Sequence, residues 1–183
     1  MTNLMERIGN ERRRLRSVRL RMAAAIEVQA NGNEAFVPFY IAAADYIDAT
    51  MQRVHEQDIK MGQMITDRVG ELDDQIRQAL GELDARLAGA KVQLEPFLAA
   101  RDDLRERGSE ALKGFEQAAQ TYSDFIVANM GHHGATNDLS VKLFTPDDWE
   151  YMAGISDEQS AHDEQLFNRV VATMPEGVAE PTD

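Results

Sequence analysis

At 183 residues the chain is long enough for one well-filled domain. Its 43% apolar and 28% charged residues exclude a disordered chain, and the absence of cysteine excludes disulfides, thiolate catalysis, iron–sulfur clusters and cysteine-ligated zinc. A formal charge of −13, with no apolar run approaching about 20 residues and no signal-peptide core, leads us to expect a cytoplasmic protein without membrane association.

The charge is unevenly placed. Residues 1–30 hold seven arginines and three glutamates, so the acidity lies in the remainder. Six of those arginines fall in residues 12–21. An arginine-rich helix can be a nucleic-acid footprint. The acidic remainder would repel phosphate, so the expectation is a basic helix packed on an acidic body rather than a nucleic-acid binder.

The first helix is expected over residues 2–30, with Leu4, Ile8, Leu15, Val18, Met22 and Ile26 on one face. Asn31-Gly32-Asn33 breaks it, and Asn33 suits the N-cap of a second helix beginning near Glu34, with Pro38 in its first turns. From Tyr40 to Leu94 the apolar stripe keeps one phase, so residues 34–94 form either one long helix or two. The glycines at 62, 70, 81 and 89 weaken the continuous version, each costing about 1 kcal/mol relative to alanine. A turn near Gly70 is the better expectation.

Glu95-Pro96 reads as the start of the next helix, lined by Phe97, Leu104, Phe115, Tyr122 and Ile126 and ending at Met130-Gly131. Residues 131–144 read as a polar loop. Thr145-Pro146-Asp147-Asp148 starts a short helix that Gly154 stops, and Ser156-Asp157-Glu158-Gln159 caps a last helix over residues 157–174. The expected fold is all-α: an antiparallel four-helix-type bundle with an additional short helix, one domain over residues 1–175 and a frayed tail over 176–183.

Polar residues on the core-facing side are the informative ones. Asp58 falls on the centre line of the second helix, with His55 at its flank and Asp48 further back. Asp163 falls on the line of Leu166 and Val170 in the last helix, with His162 at its edge, and Glu11 and Arg12 flank the stripe of the first helix. A buried carboxylate costs several kcal/mol unless it is paired or holds a metal. If the first two helices fold back around Gly32, Glu11 and Arg12 come level with His55 and Asp58. The expected cluster is then Glu11, Arg12, His55, Asp58 and Asp163, with Asp58 on Arg12 and Glu11 on His55.

The alternative is a metal site drawn from His55, Asp58, His133, His162 and Asp163, suited to iron, manganese or zinc. Glu158 and His162 form an i,i+4 pair that could chelate one ion, and His132-His133 between two glycines could cap a helix or bind metal. The nine methionines read as core gap-fillers and Trp149 as a packing anchor over the bundle end. No Ser-His-Asp order or phosphate-cradling loop is present in the sequence.

A helical bundle of this length, with His55 in its second helix and His162 beside Asp163 in its last, resembles the hemerythrin-like family. The resemblance implies a four-helix fold and a non-haem di-iron site for oxygen binding or sensing. The family's His-x-x-x-Glu step would put a glutamate where Ile59 stands, and the first helix has no histidine. The resemblance therefore implies a degenerate or lost di-iron site. The functional expectation is a non-enzymatic bundle for protein interaction or ligand response, with no cofactor. It includes self-association through Leu72, Ile76, Leu80, Leu83 and Leu87. The alternative is a metal-binding bundle carrying iron or another divalent metal in oxygen or redox sensing.

Overall fold

Local chemistry sets most of the helix ends. In the computed structural model, which describes residues 2–129 and 134–179, α1 spans Thr2–Val28. It gives way where Gln29, Asn31 and Gly32 take positive φ of 59°, 47° and 82°, a region open to glycine and tolerated by asparagine. The Asn33 side chain accepts from the Ala35 amide at 3.0 Å and shapes this turn, so α2 (Phe36–Arg68) starts two residues later than expected.

The expected turn near Gly70 is present. Asp73 accepts from the Ile76 amide at 2.8 Å and caps α3, Asp74–Arg107. Pro96 lies inside α3 and does not open a helix, which corrects the expectation at Glu95-Pro96. Interior proline forfeits one backbone hydrogen bond and costs about 3 kcal/mol. Ala90, Leu94, Phe97 and Leu104 are all buried along α3, and that packing outweighs the local loss.

Gly108, at φ 59°, ends α3 and opens a 3₁₀ turn, Gly108–Ala111, before α4, Leu112–Asn129. Residues 95–129 are therefore two pieces and not one helix. A second correction falls at the expected polar loop, where α5 spans Gly134–Leu143 and buries Thr136 and Ser140. Next comes α6, Pro146–Ala153, with a full capping box between Thr145 and Asp148. Ser156 caps α7, Asp157–Ala172, by accepting from the Gln159 amide. The expected helix end at Met130-Gly131 lies outside the described residues.

The fold is an all-α bundle. α2 is central, packing against α1, α3 and α7, while α4 packs on α3; α5 and α6 close one end. Two apolar cores result. The first is aromatic: Phe36, Phe39, Tyr40, Phe97, Phe115 and Tyr122 are all buried, and the Phe97 and Tyr122 rings stack at 5.0 Å. The second is smaller and rich in methionine, with Met61, Met64, Ile65, Leu83, Phe144 and Met152. Gly62 lets α3 approach α2 there, since a Cβ would lie 3.0 Å from the Leu83 side chain. At the opposite end Glu116 of α4 accepts from the Ala30 amide at 2.7 Å and the Tyr40 hydroxyl at 2.9 Å, tying three elements together.

The stripe expected to mediate self-association packs within the chain. Leu83 is buried, and Ile76, Leu80 and Leu87 lie against the second core; Leu72 keeps 37% of its surface exposed. Val178, inside the segment expected to fray, is buried in the first core. Among the described residues no helix is long and apolar enough to cross a membrane.

Candidate functional site: an ionic layer and an apolar cleft

A layer of charge separates the two cores. Arg53 of α2, itself buried, reaches Asp163 of α7 at 2.7 Å and Glu11 of α1 at 3.4 Å. One cation thus serves two carboxylates. Burial raises the Glu11 carboxyl above its ordinary value; Arg53 opposes this and Asp163 adds to it. Asp58 pairs with Arg86 of α3 at 3.0 Å. Beside this pair the His55 ring has its Nε2 buried, and burial lowers its pKa against the pull of Asp58.

Of the residues expected in one cluster, Glu11 and Asp163 meet, but through Arg53. Asp58 meets Arg86, not Arg12, because α3 passes closer to that face of α2 than α1 does. Arg12 is exposed. His55 neighbours Asp58 and Arg86 electrostatically, not Glu11. His162 is exposed, and the His132-His133 pair lies outside the described residues. Among the described residues no three His, Asp or Glu side chains come together in a group that could hold a metal ion. Arg53 and Arg86 are the residues that sequence reasoning missed. Arg53 lies three residues after Thr50 and seven after Tyr46, both buried, and that helical spacing carried the signal.

Next to the ionic layer lies a cleft of about 540 Å³, the volume range of ligand pockets. One wall is α1, from Ile8 through Leu15 to Met22; the other is α2, from Ile47 through Val54 to Met61. Each wall covers 15 residues, or 14 steps, which makes the cleft roughly 21 Å long at 1.5 Å per residue. Tyr122 and Ile126 of α4 contribute to the lining, as do Asn137 of α5 and Trp149 and Met152 of α6. Trp149 is held edge-on against Phe144, with ring centres 5.7 Å apart.

The α1 wall also carries Arg12, Arg16 and Arg19, at i, i+4 and i+7. The other arginines of α1 are engaged: Arg7 donates to the Ile155 carbonyl at 2.8 Å, and Arg14 lies 5.6 Å over the Phe167 ring. Among the described residues Arg12, Arg16 and Arg19 have no acidic partner, so the basic helix satisfies only part of its charge on the acidic body. Burial and the neighbouring Arg16 both lower the Arg19 pKa, so positive charge at this spot is uncompensated. The arrangement can take an apolar body between the helices and an anion beside the arginines.

No family model, curated protein or solved structure matches this chain. The cleft and its charges are therefore the ground for a functional reading.

Proposed function

We propose that this bundle is a non-catalytic binding protein for an apolar small molecule that carries an anionic group, held in the cleft between α1 and α2. The observation behind this reading is the coincidence of a cleft of about 540 Å³ with three arginines that have no acidic partner among the described residues, on a chain whose net charge is −13. Isoleucine, leucine, valine and methionine side chains give most of the walls, and the two carboxylates that also line them, Glu11 and Asp58, are held by Arg53 and Arg86. The methionines at 22, 51, 61 and 152 let the cleft adapt to the shape of its occupant. An anion entering the cleft would relieve the repulsion between Arg16 and Arg19 and gain charge-assisted hydrogen bonds.

Titration of the purified protein with anilinonaphthalene sulfonate, an aromatic anion, tests the reading. The expected result is saturable micromolar binding, weakened at least about tenfold, or 1.4 kcal/mol, by the double substitution Arg16→Glu with Arg19→Glu. Those side chains make no ion pair among the described residues, so the variant should keep the wild-type helical spectrum. Absence of saturable binding, or binding indifferent to the double substitution, would overturn the reading.

A further inference from the structure

The ionic layer sets three carboxylates, Glu11, Asp58 and Asp163, against two guanidinium groups, and the carboxylate left short of a partner faces the cleft. Asp58 lines the cleft with Arg86 as its own partner at 3.0 Å. Glu11 lines it too, but shares Arg53 with Asp163, which holds that arginine closer, at 2.7 Å against 3.4 Å. The Glu11 Oε1 is buried and accepts no hydrogen bond among the described residues, so its contact with Arg53 is an ion pair alone. The charged groups that act on Glu11 are Arg53 of α2, Asp163 of α7, and Arg7 and Arg14 of its own helix. Both of the latter are turned to other contacts, Arg7 to the Ile155 carbonyl and Arg14 to the Phe167 ring.

A negative charge in this position opposes any anion drawn to Arg16 and Arg19, which stand five and eight residues further along the same wall, or about 8 and 12 Å. Protonating Oε1 removes that charge and forfeits no hydrogen bond there. We propose that Glu11 links anion binding in the cleft to proton uptake: its charged carboxylate holds the affinity down, and protonation raises it. Burial lifts this carboxyl above its ordinary value, with Arg53 opposing and Asp163 assisting, so the change falls above pH 4.5. Linkage is reciprocal, so a bound anion must in turn draw a proton onto Glu11. This inference rests on the cleft being the anion site and adds how that site is regulated.

Anilinonaphthalene sulfonate is again the probe, because its sulfonate stays charged throughout the range tested. In low salt the wild type should bind it about two- to threefold more tightly at pH 5 than at pH 7, the scale of one charge removed at about 10 Å in a medium between protein and water. Glu11→Gln should bind at pH 7 as tightly as the wild type does at pH 5, and should vary little between the two. Asp163 keeps Arg53 in that variant, so the wild-type helical spectrum should persist. Calorimetry at pH 6 in two buffers of different ionisation enthalpy should show proton uptake when the wild type binds, and none in Glu11→Gln. The gain at pH 5 should vanish when Arg16→Glu and Arg19→Glu are combined, which separates binding in the cleft from dye taken up by a loosened fold. Affinity indifferent to pH, a Glu11→Gln variant that keeps the wild-type slope, or a gain that survives the double substitution overturns the inference. Any of these alongside saturable, arginine-dependent binding at pH 7 spares the broader reading; no saturable binding at either pH overturns the two together.

Discussion

The two cores of this bundle differ in kind. The first is built from interlocking aromatic rings: Tyr40 sits 4.9 Å from Phe115, Phe115 5.6 Å from Phe97, and Phe97 5.0 Å from Tyr122. Rings of this size have few rotamers and large buried area, so they fix helix positions. The second core relies on Met61, Met64 and Met152, whose flexible chains fill irregular space. The cleft runs beside both, lined by Met22, Ile47, Met51 and Tyr122 of the first core and by Met61 and Met152 of the second. The ionic layer of Arg53, Glu11, Asp163, Asp58 and Arg86 marks the boundary.

The sharpest test of this division is a pair of truncations read by denaturant melts. Phe115→Ala, in the first core, should cost about 3–5 kcal/mol. Met61→Ala, beside the cleft, should cost no more than about 2 kcal/mol, the low end for such truncations, because part of its surface already faces open space. Equal losses would erase the distinction between the halves.

The boundary layer comes next. Asp163→Ala or Arg53→Met alone strands a buried charge and should cost about 3–5 kcal/mol, whereas Arg53→Met with Asp163→Leu should recover most of that. Additive losses across this double-mutant cycle would mean that the 2.7 Å pair contributes no coupling.

Pro96 lies in α3 between Leu94 and Phe97 of the first core and is itself exposed. Pro96→Ala should raise stability by up to about 3 kcal/mol in urea melts. A loss instead would show that the proline shapes α3 as it leaves the aromatic half.

The smallest effects are in pH dependence. Burial lowers the His55 pKa below 6.5, so between its folded value and 6.5 the unfolded chain binds more protons. Stability therefore falls as pH drops through that window, and His55→Gln should flatten the slope there. Glu11 has the opposite sign of shift. Its folded pKa lies above 4.5, so the folded state binds its proton more tightly, and stability declines as pH rises through the window above 4.5. Glu11→Gln should remove that decline, despite breaking an ion pair to Arg53. Thermal melts across pH 4–7 would read both slopes.

Much of this fold was legible in the sequence because helix ends are local events. Thr145-Pro146 and Ser156 cap helices through hydroxyls that meet amides three residues on, and Asn31-Gly32 supplies the left-handed backbone that turns α1 into α2. Pro96 misled because its local signal is that of a helix start, whereas packing on both sides of it carries α3 through. Residues 134–143 misled for the complementary reason: Gly134, Thr136, Asn137, Asp138 and Ser140 are poor helix formers, and burial of Thr136 and Ser140 against the bundle compensates. The site was harder to read. Asp58 and Asp163 stand out from their own helices as polar residues on apolar faces, but their partners depend on which helix lies opposite. Pairing by a hairpin of the first two helices nominated Arg12 for Asp58, and the third helix supplies Arg86 instead. A cleft has no one-dimensional signature at all: it is space left between faces that each look like ordinary core.

The Glu116 tie has a consequence for the order in which the chain can fold. Its two hydrogen bonds join residues 86 and 76 positions apart, and they close only after α3 and α4 have doubled back along α2. Contacts of such long sequence separation form late, because the entropy of closing the intervening loop opposes them. During synthesis from the N-terminus, α1 and α2 can pair early as a hairpin, but the Ala30 amide and the Tyr40 hydroxyl lack this carboxylate until Glu116 has emerged. The segment that forms both walls of the cleft is thus made first and locked last.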